Sequence, residues 1–211
     1  MNSVSFGGTN LDTYGLYLPQ YEIPAPEPFL YMEEIAGRNG LIDLSNAFGD
    51  VRYKNREWDL TFVTKAPCNW HTVASNVMSL VHGKRLDFIF DDDPTHTWNG
   101  RCSVTSFVSE SGKGSITVHV SSDPFKLKQS NTVVSRTGAG SVTLSNSDMP
   151  VVPTITTTAA MGISFTLDGN EYSAQINGTA TVPQLVLPKG NTVVTVTGTG
   201  KITFTYREGL L

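Results

Sequence analysis

The sequence predicts an α+β, β-rich N-terminal domain with one helix, followed by a small all-β sandwich, and three observations carry that reading. Charge falls from 15 acidic plus 11 basic residues in the first 130 positions to 4 plus 4 in the last 81. Trp58, Trp70, Trp98 and His71, His82, His96, His119 all precede that point, whereas 16 threonines follow it. Only the segment near position 70 shows a helical period; elsewhere short apolar runs alternate or are bounded by turn residues. The polar Lys128-Gln129-Ser130-Asn131 after Asp123-Pro124 places the join between 124 and 132, giving expected domains 1–126 and 131–211.

Within the first domain, Trp58, Leu60 and Phe62 alternate with Asp59, Thr61 and Val63, the period of two of a half-buried strand. Leu86, Phe88 and Phe90 repeat the pattern until Asp91-Asp92-Asp93-Pro94 stops it. Between these strands Pro67 and Asn69 open a helix, Trp70, Val73, Ala74, Val77, Leu80 and Val81 form its apolar stripe, and Gly83 ends it. Segments 100–109 and 115–121, separated by Ser111-Gly112-Lys113-Gly114, read as a hairpin. In the second domain Val151–Thr158, Ile163–Leu167, Leu185–Leu187, Thr192–Val196 and Ile202–Tyr206 are short and rich in β-branched residues. They are punctuated by Asp168-Gly169-Asn170, Asn177-Gly178 and Lys189-Gly190-Asn191. That spacing fits a small antiparallel sandwich.

Composition narrows the function. The 211 residues include 39% hydrophobic and 16% charged residues, which argues for a folded chain, and 19 Gly and 11 Pro, which argue for many turns. A net charge of −4 with a pI near 5.5 speaks against holding nucleic acid through a basic face. MNSVSFGGTN has neither the basic nor the apolar part of a secretory signal, and no window approaches 18 consecutive apolar residues, so a soluble start in a cytoplasm is expected. Cys68 and Cys102 are too few for a disulfide framework, and a buried, reduced pair is expected. The glycosylation sequon Asn177-Gly178-Thr179 is read as a β-turn.

No motif supplies catalysis, a cofactor or a metal. Asp91-Asp92-Asp93 with His96 offers hard oxygens to a cation such as calcium, but the glycine and distal glutamate of an EF-hand loop are missing, so a solvated acidic turn is expected. Glu33 and Glu34 are adjacent and on an extended chain face opposite ways. There is no Gly-x-Ser-x-Gly elbow, His71 and His82 fall at the two ends of the helix, and Gly138-Ala139-Gly140 lacks the Lys-Ser/Thr of a phosphate loop. No catalytic, cofactor-binding or metal residue is assigned. Sugar binding by the sandwich is the rival reading, weakened because its only aromatics are Phe165, Tyr172, Phe204 and Tyr206, and the last two share strand parity that favours core burial.

The ordered set of first-domain motifs resembles the distal tail protein (Dit) family of long-tailed, non-contractile bacteriophages. It comprises Val4-Ser5-Phe6-Gly7-Gly8, Tyr14-Gly15-Leu16, Ile35-Ala36-Gly37-Arg38-Asn39-Gly40 leading into Leu41-Ile42-Asp43, and Tyr53-Lys54-Asn55-Arg56-Glu57-Trp58. Trp70 then heads the helix that ends in Gly83, followed by Asp91-Asp92-Asp93-Pro94 and Gly100-Arg101. Ala36 stands where many relatives carry proline. The resemblance covers about the first 125 residues. It implies a structural virion protein, no enzyme, whose first domain forms a homo-hexameric ring between the tail tube and the adsorption apparatus, with a galectin-like sandwich outside the ring. The implied partners are identical subunits, the tail tube protein and tail-tip or receptor-binding proteins, without stable nucleic-acid binding or membrane insertion. The implied location is the virion tail tip, after synthesis in the host cytoplasm. Large arm-like insertions, which hold receptor-binding proteins in some relatives, have no room here. A carbohydrate-binding adaptor acting through the sandwich is the alternative.

Overall fold

The computed structural model describes residues 2–47, 49 and 51–211. The chain divides into two compact units, Met1–Lys126 and Leu127–Leu211, each with its own core.

The first unit contains β1 (Val4–Phe6), β2 (Thr9–Asn10), β3 (Leu16–Tyr17), β4 (Met32–Glu34), β5 (Leu41–Asp43), β6 (Arg56–Thr64), α1 (Trp70–Val81), β7 (Lys84–Phe90), β8 (His96–Glu110) and β9 (Lys113–Ser122). Seven strands pair antiparallel in the order β2-β1-β7-β8-β9-β6-β3. An isolated bridge between Asn2 and Leu18 links the two ends, so the sheet curls onto itself around its apolar face. Residues of alternating burial along β6 send Trp58, Leu60 and Phe62 inward, where they meet Phe6, Phe88 and Trp98. The rings pack edge-on or stacked, with centroids 6.2 Å apart for Phe6 and Phe62, 5.5 Å for Phe6 and Phe88, and 5.3 Å for Trp58 and Trp98.

Helix α1 forms where its caps and stripe predict. The Asn69 side chain accepts from the Thr72 N–H at 3.4 Å, and Gly83 takes the left-handed conformation at φ +73° that ends the helix. Trp70, Ala74, Val77 and Val81 are buried on the sheet, with Val73 and Leu80 packed at the margin. Each fully buried apolar side chain contributes about 1.5–3 kcal/mol. The β8–β9 turn is tighter than the four-residue separator predicts. Ser111 (φ +44°) and Gly112 (φ +82°) alone make it, the two left-handed residues of a type I′ hairpin, while Lys113 and Gly114 are already in β9. Gly114 must lack a side chain, since an added Cβ would lie 2.4 Å from the Trp70 ring and 2.4 Å from the Val108 carbonyl.

The boundary between the units is carried by a short strand, β10 (Lys126–Lys128), where the sequence predicts a polar join. Beyond it are β11 (Thr132–Thr137), β12 (Gly140–Asn146), β13 (Thr154–Thr157), β14 (Met161–Leu167), β15 (Asn170–Ile176), β16 (Thr179–Thr181), β17 (Gly190–Thr197), β18 (Lys201–Tyr206) and β19 (Gly209–Leu210). Two four-stranded antiparallel sheets, β11-β18-β13-β16 and β12-β17-β14-β15, share one core of Leu144, Ile155, Met161, Ile163, Val194, Ile202 and Phe204. Two expected strands are corrected. The run from 151 enters β13 only at Thr154, because Pro150 and Pro153 withhold ladder N–H groups, and Leu185–Leu187 is a non-strand segment between Pro183 and Pro188 that buries Leu185 and Leu187, exposes Val186 and is pinned by a Val151–Leu187 bridge. Asn177-Gly178 is likewise no hairpin turn: it is the corner at which the chain leaves β15 in one sheet for β16 in the other, held by the Thr157 hydroxyl on the Gly178 N–H at 3.0 Å.

Candidate functional site

The acidic triplet is the expected solvated turn, with Asp91 and Asp92 exposed, and its carboxylates also hold partners within the unit. Asp91 accepts from Asn10 at 3.0 Å, and Asp92 accepts from Asn2 at 3.2 Å and from the Tyr21 hydroxyl at 2.7 Å. Asp93 pairs with His96 Nδ1 at 2.7 Å and Lys126 Nζ at 2.6 Å. The three carboxylates thus diverge onto different partners and tie the N-terminal strands to the end of β7. Burial pushes the Tyr21 hydroxyl up to about 12, reinforced by its hydrogen bond to Asp92. Burial alone would raise Asp93, but hydrogen bonds from Lys126 and His96 hold it below the ordinary carboxylate value. Among the described residues no group of three or more His, Cys, Asp or Glu is placed to hold a metal.

Other chemistry-bearing residues stay apart. His71 is exposed at the start of α1, and His82 follows its last turn, accepting the Val104 N–H at 3.0 Å where a β-bulge frees that group from the β8–β9 ladder. His119 and Asp59, opposite each other on β9 and β6, pair at 2.9 Å, a contact that their 60-residue separation hides from sequence reading. Ser103 neighbours His119 in register, but no hydrogen bond of the described residues joins them, so the row lacks the nucleophile–base contact of a triad. The cysteine expectation is corrected in part: Cys102 is buried, which pushes its thiol up to about 12, whereas Cys68 is only half-buried; both are free. Glu33 and Glu34 sit on extended β4, and Gly138-Ala139 links β11 to β12, which Gly140 opens, the Ala139 carbonyl being capped by Arg136 at 2.7 Å.

Two surfaces remain as candidates for recognition. On the sandwich, a groove of about 670 Å³ runs over β14, β15 and β17, lined by Ser164, Thr166, Glu171, Ser173, Asn191 and Thr195 among others. Phe165 is buried and stacks on Tyr172 at 5.5 Å, and Phe204 and Tyr206 are both in the core. On the first unit, β4 and β5 form a separate hairpin, in register Met32 to Asp43 and Glu34 to Leu41. Its root pairs Pro28 with Tyr53, and the Lys54 N–H donates to the Glu27 carbonyl at 2.8 Å. Phe29, Leu30, Tyr31, Met32, Ile35 and Leu41 are all exposed along it, Leu30 and Tyr31 by 58% and 59%. Apolar residues this large are seldom left together in water on a monomer.

In its full length the chain is similar in structure to the SPP1 Dit protein, a paradigm of the hub adsorption apparatus in phages that infect Gram-positive bacteria. The TM-score is 0.71, covering 100% of both chains, at 17% sequence identity. The chain has the fold of SPP1 Dit. No family model matches it, and no curated protein matches it by sequence. Among the described residues no helix is long and apolar enough to cross a membrane.

Proposed function

We propose that the protein is a structural component of a phage tail tip or baseplate, whose first domain, 1–126, closes into a hexameric ring joining the tail tube to the adsorption apparatus. The domain at 131–211 is then a galectin-like sandwich carried outside the ring. The observation that carries this reading is the full-length likeness to SPP1 Dit, which takes in both units rather than one. The ordered first-domain motifs support it independently, and so does the exposed apolar hairpin, since a head-to-tail contact repeated by rotation closes a ring and covers such a surface. The role is architectural and assigns no catalytic residue. Its partners are identical subunits, the tail tube protein and tail-tip or receptor-binding proteins, at the tail of a virion assembled from host-cytoplasmic product. Light scattering and negative-stain images of the full chain and of residues 1–126 test it. A six-fold ring is expected from both, and a two-fold dimer held through the sandwich contradicts it.

A second reading, a carbohydrate-binding adaptor, is favoured by the hydroxyl-lined groove over β14, β15 and β17. A glycan array probed with the full chain and with Ser164→Leu separates the two. Signal lost in the variant supports the adaptor, and no signal above background removes it.

A further inference from the structure

After β18, residues 207–210 turn back on the linker, and β19 pairs with β10. The Lys128 N–H donates to the Glu208 carbonyl at 2.9 Å, and Arg207 Nε donates to the Lys128 carbonyl at 2.6 Å. One residue on, the Gly209 carbonyl accepts from the N–H groups of Asp148 and Met149 at 3.2 and 3.1 Å. Gly209 is buried in a space closed to a side chain: an added Cβ would lie 2.9 Å from Met149 Cβ and 3.2 Å from Leu127 Cδ2. Residues 207–210 are thus held between the linker and segment 147–149.

Glu208 is the one carboxylate that is buried among the described residues, at 6% exposure. The sandwich core, built of Val, Ile, Leu, Met and aromatic side chains, has no use for its charge, and an apolar residue would fill the same space without the desolvation cost. Its three partners come from three separate stretches. Lys128 Nζ reaches it from the linker at 2.9 Å, the Thr132 hydroxyl from the start of β11 at 2.5 Å, and the Ser147 hydroxyl from just beyond β12. A carboxylate matched in this way fixes where those stretches lie, which is the use for which a buried charge is worth its cost. Lys126 is anchored separately within the first unit, its Nζ on Asp93 at 2.6 Å. Leu127 alone stands between the two anchored lysines.

We propose that residues 207–210 are a latch on the linker, fastened by Glu208. In place, it holds Leu127 and Lys128 as part of the sandwich; released, it leaves them as a flexible tether between the two units. This is a conformational device of the linker and does not depend on the tail reading.

Hydrogen exchange of the full chain tests it without any substitution. The amides of Lys128, Asp148 and Met149, all donated to residues 208 and 209, should exchange through one shared opening, faster than the core amides of Val194 and Val196. Trypsin under native conditions then compares the wild type with Glu208→Ala and with the milder Gly209→Ala. Cutting after Lys128 should rise at least about tenfold in Glu208→Ala and by less in Gly209→Ala, while cutting after Arg136 and Lys201, within the sandwich, keeps the wild-type rate. Unchanged cutting after Lys128 in both variants overturns the latch. So does a parallel rise at Arg136 and Lys201, which would make 207–210 an ordinary part of the sandwich. A wild-type Lys128 amide that is unprotected, or that opens only together with Val194 and Val196, overturns it as well.

Discussion

The two units solve the same problem, an all-antiparallel core, with different materials. The first packs Phe6, Trp58, Phe62, Trp70, Phe88 and Trp98 under one helix, whereas the second interleaves mostly Val, Ile and Leu between two sheets. Their polar interiors differ more. In the second unit Asn146 Nδ2 donates to the Met149 and Leu187 carbonyls at 2.7 and 2.9 Å, and the Tyr206 hydroxyl donates to the Ser145 carbonyl at 2.5 Å. Buried Glu208 is met by Ser147, by Thr132 at 2.5 Å and by Lys128 at 2.9 Å. Among the buried side-chain atoms of the described residues, Asn146 Oδ1 alone is left without a partner there, while the first unit leaves Ser3 Oγ, Arg56 Nε and Nη2, and the indole N–H groups of Trp58 and Trp70. The unmatched groups of the first unit are all inside it, so what it offers a neighbour is the apolar surface of its exposed hairpin.

The sharpest break in that comparison is Val77→Asp. Val77 is fully buried under α1, and an unpaired carboxylate there should destabilise the first unit by about 4 kcal/mol or more. Solubility and proton spectra of the full chain check it: the aromatic-core signals should collapse while those of the β-sandwich persist. A soluble, fully folded variant that fails only to assemble would instead place the helix stripe at a partner surface.

Next in size is the acid sensitivity of the second unit. Burial alone would raise the Glu208 carboxyl, but its hydrogen bonds from Ser147, Thr132 and Lys128, with the charge of Lys128, lower it from 4.5 to about 2. A depressed pKa contributes stability that is whole above the unfolded value and is lost as pH falls from about 4.5 through 2, here up to about 3 kcal/mol. Denaturant unfolding followed on sandwich signals should show this fall, and Glu208→Gln should flatten it. A sandwich equally stable at pH 7 and pH 2 refutes the assignment.

Gly114→Ala should cost the first unit about 2 kcal/mol, because neither the Trp70 ring nor the Val108 carbonyl has room to yield. A chemical-denaturation midpoint unchanged from wild type would show that the ring moves aside. The equivalent substitution at Gly138 in the second unit meets open space but a φ of +75°, so its smaller cost is backbone strain alone.

What was legible in the sequence was local. Asn69, the Trp70–Val81 stripe and Gly83 specify a helix within a dozen residues, and the alternation of 58–62 survives as β6. What was not legible needed distant chain. Asp91, Asp92 and Asp93 are solvated as read, but their partners Asn10, Asn2, Tyr21 and Lys126 arrive from elsewhere in the unit. Strands β11 and β12 carry so many Ser and Thr residues that only Val134, Val142 and Leu144 mark their inward face. The prolines at 150, 153, 183 and 188 keep the apolar residues beside them out of the strands. The setting of Arg56 was legible only in part: it shares the parity of Trp58 and so falls on the inward face of β6, but the Trp98 ring beneath it comes from β8.

Polar substitution of the hairpin sharpens the comparison with a smaller effect on folding. Leu30→Ser and Ile35→Ser remove exposed side chains, so each should change unfolding free energy by less than about 0.5 kcal/mol. Assembly should weaken at least tenfold in light scattering, and unchanged association would exclude the hairpin from the contact.

The smallest expected effect is none at all: neither the full chain nor its assembly should bind duplex DNA. Each chain carries a net charge of −4, so six copies would sum to 6 × (−4) = −24, and a surface with that balance repels phosphates. Local arrangement reinforces the sum. In the first unit Lys54, Lys65 and Arg85 are paired with Glu27, Asp12 and Asp123, and Lys126 with Asp93, so several of its basic groups already answer to carboxylates of the same chain. A filter-binding titration at low salt gives attraction its best chance, because screening is then weakest. No retention is expected at micromolar protein. Retention that falls steeply as salt is added would mean that the remaining cations, among them Arg38 and Arg101, gather on one lining when copies associate, and net charge would then be the wrong guide to how this protein treats nucleic acid.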